Sequence, residues 1–204
     1  MDKQYWKEFY SNKNVSSDAS TFAIFCSENY ITPNHTTLVD LGCGNGRDSF
    51  YLNERLRVTA IDQCVAAVTA QQHDNPPLAA IIEGNFVTWD FEPTDIFYSR
   101  FTLHSITETD ETNLLLNTFD TLGSGGILAI EARTTNDEIY WRGEHVHGTT
   151  WVYNGHSRRF IEVEKFIDKC KNIGYSVEYA IEASGLSVYG DSDPTLLRLI
   201  LIKK

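Results

Sequence analysis

The residues best suited to do chemistry lie in one short run, Leu38-Val39-Asp40-Leu41-Gly42-Cys43-Gly44-Asn45-Gly46-Arg47-Asp48. It reads as a strand ending in an acid, a glycine turn and a helix start. Three alternate glycines let the backbone turn tightly and approach a ligand without interference from Cβ atoms, and the helix that follows presents free N–H groups. A dinucleotide-binding loop calls for a third glycine at position 47, where the helix meets the pyrophosphate, and Arg47 stands there instead, which argues against a nicotinamide cofactor. A second acid, Asp62, ends the next β-type run, Val58-Thr59-Ala60-Ile61-Asp62. A carboxylate in that place accepts hydrogen bonds from both hydroxyls of a ribose.

Asp-x-Gly-x-Gly-x-Gly followed by an acid closing the second strand resembles the class I S-adenosylmethionine-dependent methyltransferases. The stretch from Asp40 to Leu52, with Gly-Cys-Gly-x-Gly-Arg opening the first helix, is similar to the small bacterial tellurite-resistance type. The resemblance implies S-adenosylmethionine as cofactor and S-adenosylhomocysteine as product. It also implies that Gly42, Cys43, Gly44, Gly46 and Arg47 contact the methionine moiety, that Asp40 orients its amino group, and that Asp62 and Gln63 hold the ribose. Gly84-Asn85-Phe86 falls where the family often has Gly-Asp-hydrophobic beside the adenine, so Asn85 and Phe86 join the cofactor set, with Asn85 in place of the usual Asp. Near the C-terminus, Gly185-Leu186-Ser187-Val188-Tyr189, Asp193-Pro194 and Arg198-Leu199-Ile200 resemble methyltransferases associated with surface-polysaccharide modification.

Acceptor chemistry is sought just beyond the carboxyl ends of strands four and five, where an open α/β sheet binds its ligands. Both ends carry arginine, Arg100 and Arg133. His104 follows strand four, near the methyl donor by the family resemblance, with an ordinary pKa suited to taking a proton from a substrate hydroxyl; a lid histidine such as His156 is the alternative base. No lysine occurs between Lys13 and Lys165. Arg100 is assigned to both cofactor and catalysis, and Arg133, Arg142, Arg158 and Arg159, with His145, His147 and Tyr189, are assigned to the acceptor. Guanidinium groups bind carboxylate or phosphate through a planar fork and stay charged when desolvated, so the expected acceptor is anionic; salt bridging to Glu131, Glu144 and Glu162 is the competing reading. His145-x-His147 lacks an accompanying acid or cysteine cluster, and no metal is expected.

These residues need a scaffold. β-type runs at Thr37–Leu41, Arg57–Ile61, Ala80–Glu83, Asp95–Ser99 and Gly126–Arg133 alternate with helical stretches near 47–54, 64–73 and 110–122, which implies parallel pairing. A helix at 161–172 precedes two β-type runs, Ser176–Ile181 and Leu196–Ile202, with no helix between them, so those two pair antiparallel. The expected fold is α/β: a Rossmann-like, seven-stranded, mostly parallel sheet with helices on both faces and an antiparallel C-terminal strand. Ser17 or Asp18 caps a helix bearing Phe22, Ile24, Phe25 and Cys26, within an N-terminal helical cap over 1–30 that opens with Tyr5, Trp6, Phe9 and Tyr10. Residues 134–160 follow neither helical nor strand periodicity and read as a substrate lid.

Composition narrows the classes. The 204 residues are 42% hydrophobic and 22% charged, ample for one cored domain over 1–204. A net charge of -11 opposes binding to a phosphate backbone, which excludes nucleic acid as first partner. Four cysteines without Cys-x-x-Cys spacing read as free thiols, and the absence of an apolar span or leader reads as cytoplasmic. The resulting expectation is a methyltransferase acting by direct displacement on a small or glycan-linked acceptor, with oxygen favoured. A nicotinamide-dependent oxidoreductase and a catalytically silent cofactor-binding module are the alternatives.

Overall fold

The computed structural model describes residue 5 and residues 16–204; Trp6, Phe9, Tyr10 and most of the expected N-terminal cap lie outside the described residues. Seven strands form one sheet in the order β3-β2-β1-β4-β5-β10-β9: β1 (Thr37–Leu41), β2 (Arg57–Asp62), β3 (Ala80–Glu83), β4 (Thr94–Arg100), β5 (Leu122–Arg133), β9 (Tyr175–Ala183) and β10 (Leu196–Lys203). The first five pair in parallel. β10 runs antiparallel to both β5 and β9, inserted between them.

Strand alternation divides the core into two layers. From β5, Ile127 and Ala129 join the layer under α1 (Thr21–Asn29), α2 (Arg47–Leu52) and α3 (Ala66–Gln71). Leu128, Ile130 and Ala132 point the other way, under α4 (Glu108–Thr121) and α5 (Val163–Ile173). Leu199, Ile200 and Leu201 of β10 are wholly buried, feeding both layers. Each such side chain contributes on the order of 1.5–3 kcal/mol by leaving water.

Two local readings change. α1 is capped by Ser20, whose Oγ accepts the Ala23 N–H at 3.1 Å, and not by Ser17 or Asp18; Ser20 alone is also tied to Asp48 of α2, whose Oδ1 accepts its N–H at 2.7 Å. Residues 134–160 are not without regular structure: they hold a three-stranded antiparallel sheet of β6 (Glu144–His147), β7 (Thr150–Tyr153) and β8 (His156–Arg159). Strands of four residues are too short to show a period. The turn does carry a signal, since Tyr153 pairs with His156 across Asn154-Gly155, both at positive φ (52° and 71°), as a two-residue hairpin requires.

Among the described residues no helix is long and apolar enough to cross a membrane.

Candidate active site

The glycine turn begins where β1 ends. Gly42 and Cys43 both donate backbone N–H groups to the Ile61 carbonyl, at 2.7 and 3.1 Å, which fixes the turn against the end of β2. Gly42, Gly44 and Gly46 have φ of 76°, 58° and 81°, in the left-handed region that favours glycine. A Cβ at Gly42 would drive into Thr102, and one at Gly46 into Val68 and Phe50. Asp62 spans the gap between the two strands: its Oδ2 accepts the Gly44 N–H at 3.0 Å and its Oδ1 the Cys64 N–H at 2.9 Å. Burial raises the Asp62 pKa, and these backbone donors pull it back.

Beside this turn lies a cavity of about 580 Å³. Asp40, Gly42, Cys43, Arg47, Asp62, Gln63 and Phe86 line it on the β1–β2–β3 side, and Arg100, Phe101, His104, Arg133, Arg158 and Tyr189 on the other. The volume falls in the range of small-molecule sites. Asp40 is buried and accepts the Ser49 hydroxyl at 2.5 Å; burial, reinforced by Asp48 and Asp62, pushes its pKa to about 7. His104 is displaced the opposite way. Burial, then His156, Arg158, Arg133 and Arg159, hold its pKa well below the ordinary histidine value, so it is neutral near pH 7.

Several expected site residues lie off the cavity. Asn85 is exposed, and its Oδ1 accepts the Val87 N–H at 3.0 Å, making it a turn residue beside Phe86. Gly44 and Gly46 shape the turn without forming the wall itself. His145 and His147 are exposed on the small sheet, and Arg142 is exposed just before it. His156 backs His104, the two rings meeting edge to face at 5.7 Å, and it stacks on Tyr5 at 4.1 Å. Arg159 is buried and spent on structure, donating to the carbonyls of Ile106 and Leu103 and to Glu111 at 2.6 Å.

The structure also brings in residues the sequence reading missed. Tyr98 donates its hydroxyl to Asp48 Oδ2 at 2.8 Å, joining β4 to the helix after the glycine turn. Phe101 adopts φ 56° and lies beneath the Arg100 guanidinium at 4.4 Å. Neither has a motif to announce it, because each depends on pairing between distant strands.

Residues 38–126, from β1 into β5, match the family model of a methyltransferase domain. Those residues form a methyltransferase domain. The methyltransferase fold recurs in solved structures. A glycopeptide N-methyltransferase, MtfA, is 13% identical with TM-score 0.69, the match covering 92% of this chain and 97% of that one. A 1,6-didemethyltoxoflavin-N1-methyltransferase from Burkholderia thailandensis is 15% identical, TM-score 0.69, covering 100% and 84%. A TehB-like S-adenosylmethionine-dependent methyltransferase from Corynebacterium glutamicum is 19% identical, TM-score 0.63, covering 98% and 95%. No curated protein matches the methyltransferase in sequence.

The cavity brings together the Gly42 end of the glycine turn, the Asp62 carboxylate and the apolar Phe86, a lining whose chemistry fits S-adenosylmethionine. Two results are expected if they hold it. Asp62→Ala weakens S-adenosylmethionine binding by roughly 1.5–3 kcal/mol, the worth of hydrogen bonds to a charged group; unchanged affinity in calorimetry would remove Asp62 from the ribose role. The second concerns pH. Between the unfolded carboxyl value near 3.8 and about 7, folded Asp40 keeps a proton that the unfolded chain has released, so its contribution to stability falls as pH rises through that window. A cationic amino group beside it favours the ionised form. Binding therefore releases a proton below pH 7 and tightens from pH 6 to 8; pH-independent affinity with no proton release would separate Asp40 from the amino group.

Proposed function

We propose that this enzyme methylates an oxygen of a small or glycan-linked acceptor that carries an anionic group. The observation behind this is the pairing of Arg133 and Arg158 in the cavity wall next to His104. Arg133 has a carboxylate partner, Asp137 at 2.8 Å. Arg158 has none within ion-pair distance among the described residues; its Nη1 donates to the Tyr153 carbonyl at 3.2 Å. Burial lowers its pKa and the nearby Arg133 adds to this, while a hydrogen bond with Tyr5 and the Asp137 carboxylate pull it back. Tyr5 and Asp137 offset part of the cost of a partly buried cation facing a second one, and an acceptor carboxylate or phosphate adds a full opposing charge through the guanidinium fork.

Bound S-adenosylmethionine supplies an electrophilic methyl on a sulfonium. The chain's residues hold the acceptor in line and exclude water, which is where most of the rate comes from. His104 does not have the ordinary pKa expected of it, since burial and the neighbouring cations weaken it as a base; an acceptor anion at Arg133 and Arg158 offsets that charge and lets His104 take the proton that a hydroxyl loses as its bond to the methyl forms. A nitrogen acceptor is the second reading, favoured because two of the similar structures are N-methyltransferases.

A screen of acids and their neutral analogues, read by S-adenosylhomocysteine release, tests the proposal. Arg158→Lys keeps the charge and loses the fork, so acceptor KM is expected to rise by about tenfold with donor affinity unchanged. Turnover of neutral acceptors as fast as acids, or parental KM in Arg158→Lys, would sink the anionic reading.

A further inference from the structure

Three charged residues stand directly opposite one another across the middle of the sheet: Arg100 on β4 beside Glu131 on β5, and Glu131 beside Arg198 on β10. Alternation puts them on the face of Tyr98, Ala129 and Ile200, the side of α1. Glu131 is fully buried. One of its oxygens accepts Arg100 Nε at 2.9 Å and the other Arg198 Nε at 2.6 Å.

Both arginines reach past Glu131 to the same place. Arg100 Nη2 donates to the Ser187 hydroxyl at 2.8 Å, and Arg198 Nη2 to the Leu186 carbonyl at 2.7 Å and to Thr21 Oγ1 at 2.6 Å. Thr21 in turn donates to the Leu186 carbonyl at 2.5 Å. Leu186 and Ser187 begin the β9–β10 connection, whose Ser187, Val188 and Tyr189 form part of the cavity wall. That connection has little core of its own: Val188 and Tyr189 are 60% and 70% exposed. Its position is set from the sheet.

We infer that Glu131 is a positioning residue for ligand binding, the single carboxylate that aims two guanidiniums and through them holds the β9–β10 connection against the cavity. A buried carboxylate between two cations is the costly way to fill that space, since apolar side chains of similar volume commonly serve stability as well or better. What the ionic row supplies and an apolar one does not is direction, two rigid forks pointed at one loop. The inference goes beyond the acceptor reading and does not depend on it.

The test uses S-adenosylhomocysteine as probe. Glu131→Gln keeps size and removes the charge. Amides of residues 184–195 are expected to exchange about tenfold faster while those of β1 and β5 stay within about twofold of parent. S-adenosylhomocysteine is expected to dissociate about fivefold faster in stopped-flow displacement. A purely structural role would speed exchange across the whole sheet and leave dissociation unchanged, which would overturn the inference. Should Glu131→Gln not fold, Arg198→Lys decides: its ammonium keeps the charge beside Glu131 but cannot also hold Leu186 and Thr21. Faster loop exchange and faster dissociation in that variant support the inference, and parental values of both overturn it.

Discussion

Gly44→Val is expected to give a folded protein that no longer binds S-adenosylmethionine. Gly44 sits at φ 58°, a conformation that costs an L-residue roughly 1–2 kcal/mol and a β-branched one more. Its N–H is the donor that holds Asp62 Oδ2 at 3.0 Å, so a shift of the turn to relieve the valine also misaligns the carboxylate assigned to the ribose. Gly42 and Gly46 make poorer tests. A side chain there collides with Thr102 or with Val68 and Phe50, and lost binding would be confounded with damaged packing. Melting temperature separates the two effects at position 44, and calorimetry reads affinity. A folded variant that bound like the parent would move the cofactor away from the glycine turn.

The second large effect concerns stability. Arg159→Met is expected to cost about 3–5 kcal/mol in urea unfolding, because it strips a buried ion pair of one member. Glu111 is 1% exposed and would keep only Lys169, at 2.7 Å, as a charged partner. The carbonyls of Leu103 and Ile106 would lose their donor. Those two carbonyls bracket the short turn that carries His104, so Arg159 acts on the site through the backbone it secures and through its charge near His104. Arg159→Lys should recover part of the loss. If Arg159→Met were as stable as the parent and raised only acceptor KM, Arg159 would return to the anion-binding set.

Arg158 and Arg159 illustrate where the sequence is readable and where it is not. Adjacent on β8, they point to opposite sides, one to the cavity and the other into the protein, and identical residue types cannot reveal which is which without the register of the strand. By contrast, the glycine turn, Asp62 and the parallel strands between them are local, written within about one βαβ unit, and the chemistry and geometry agree. The antiparallel end of the sheet was legible from the missing helix between the last two runs. The insertion of β10 against β5 was not, because the pairing joins residues far apart in the chain. Asn154-Gly155 is a legible hairpin signal, set between strands too short to show a period. Tyr98 and Phe101 reach the site through such distant pairings and had no local sign; the Arg100–Glu131–Arg198 row does so too, and only Glu131 as an arginine partner was legible.

The interior position of β10 bears on how the chain reaches its native state. Until β10 arrives, β5 presents an unsatisfied row of N–H and C=O groups flanked by Leu128, Ile130 and Ala132, the edge on which another copy can pair. The closing contact, Arg198 on Glu131, spans 67 positions. Non-local pairing of this kind is slow, because loop-closure entropy is lost before the contact compensates. The hazard of self-association therefore belongs to the partly folded chain, and refolding yield should fall with protein concentration in a way that native stability does not foretell.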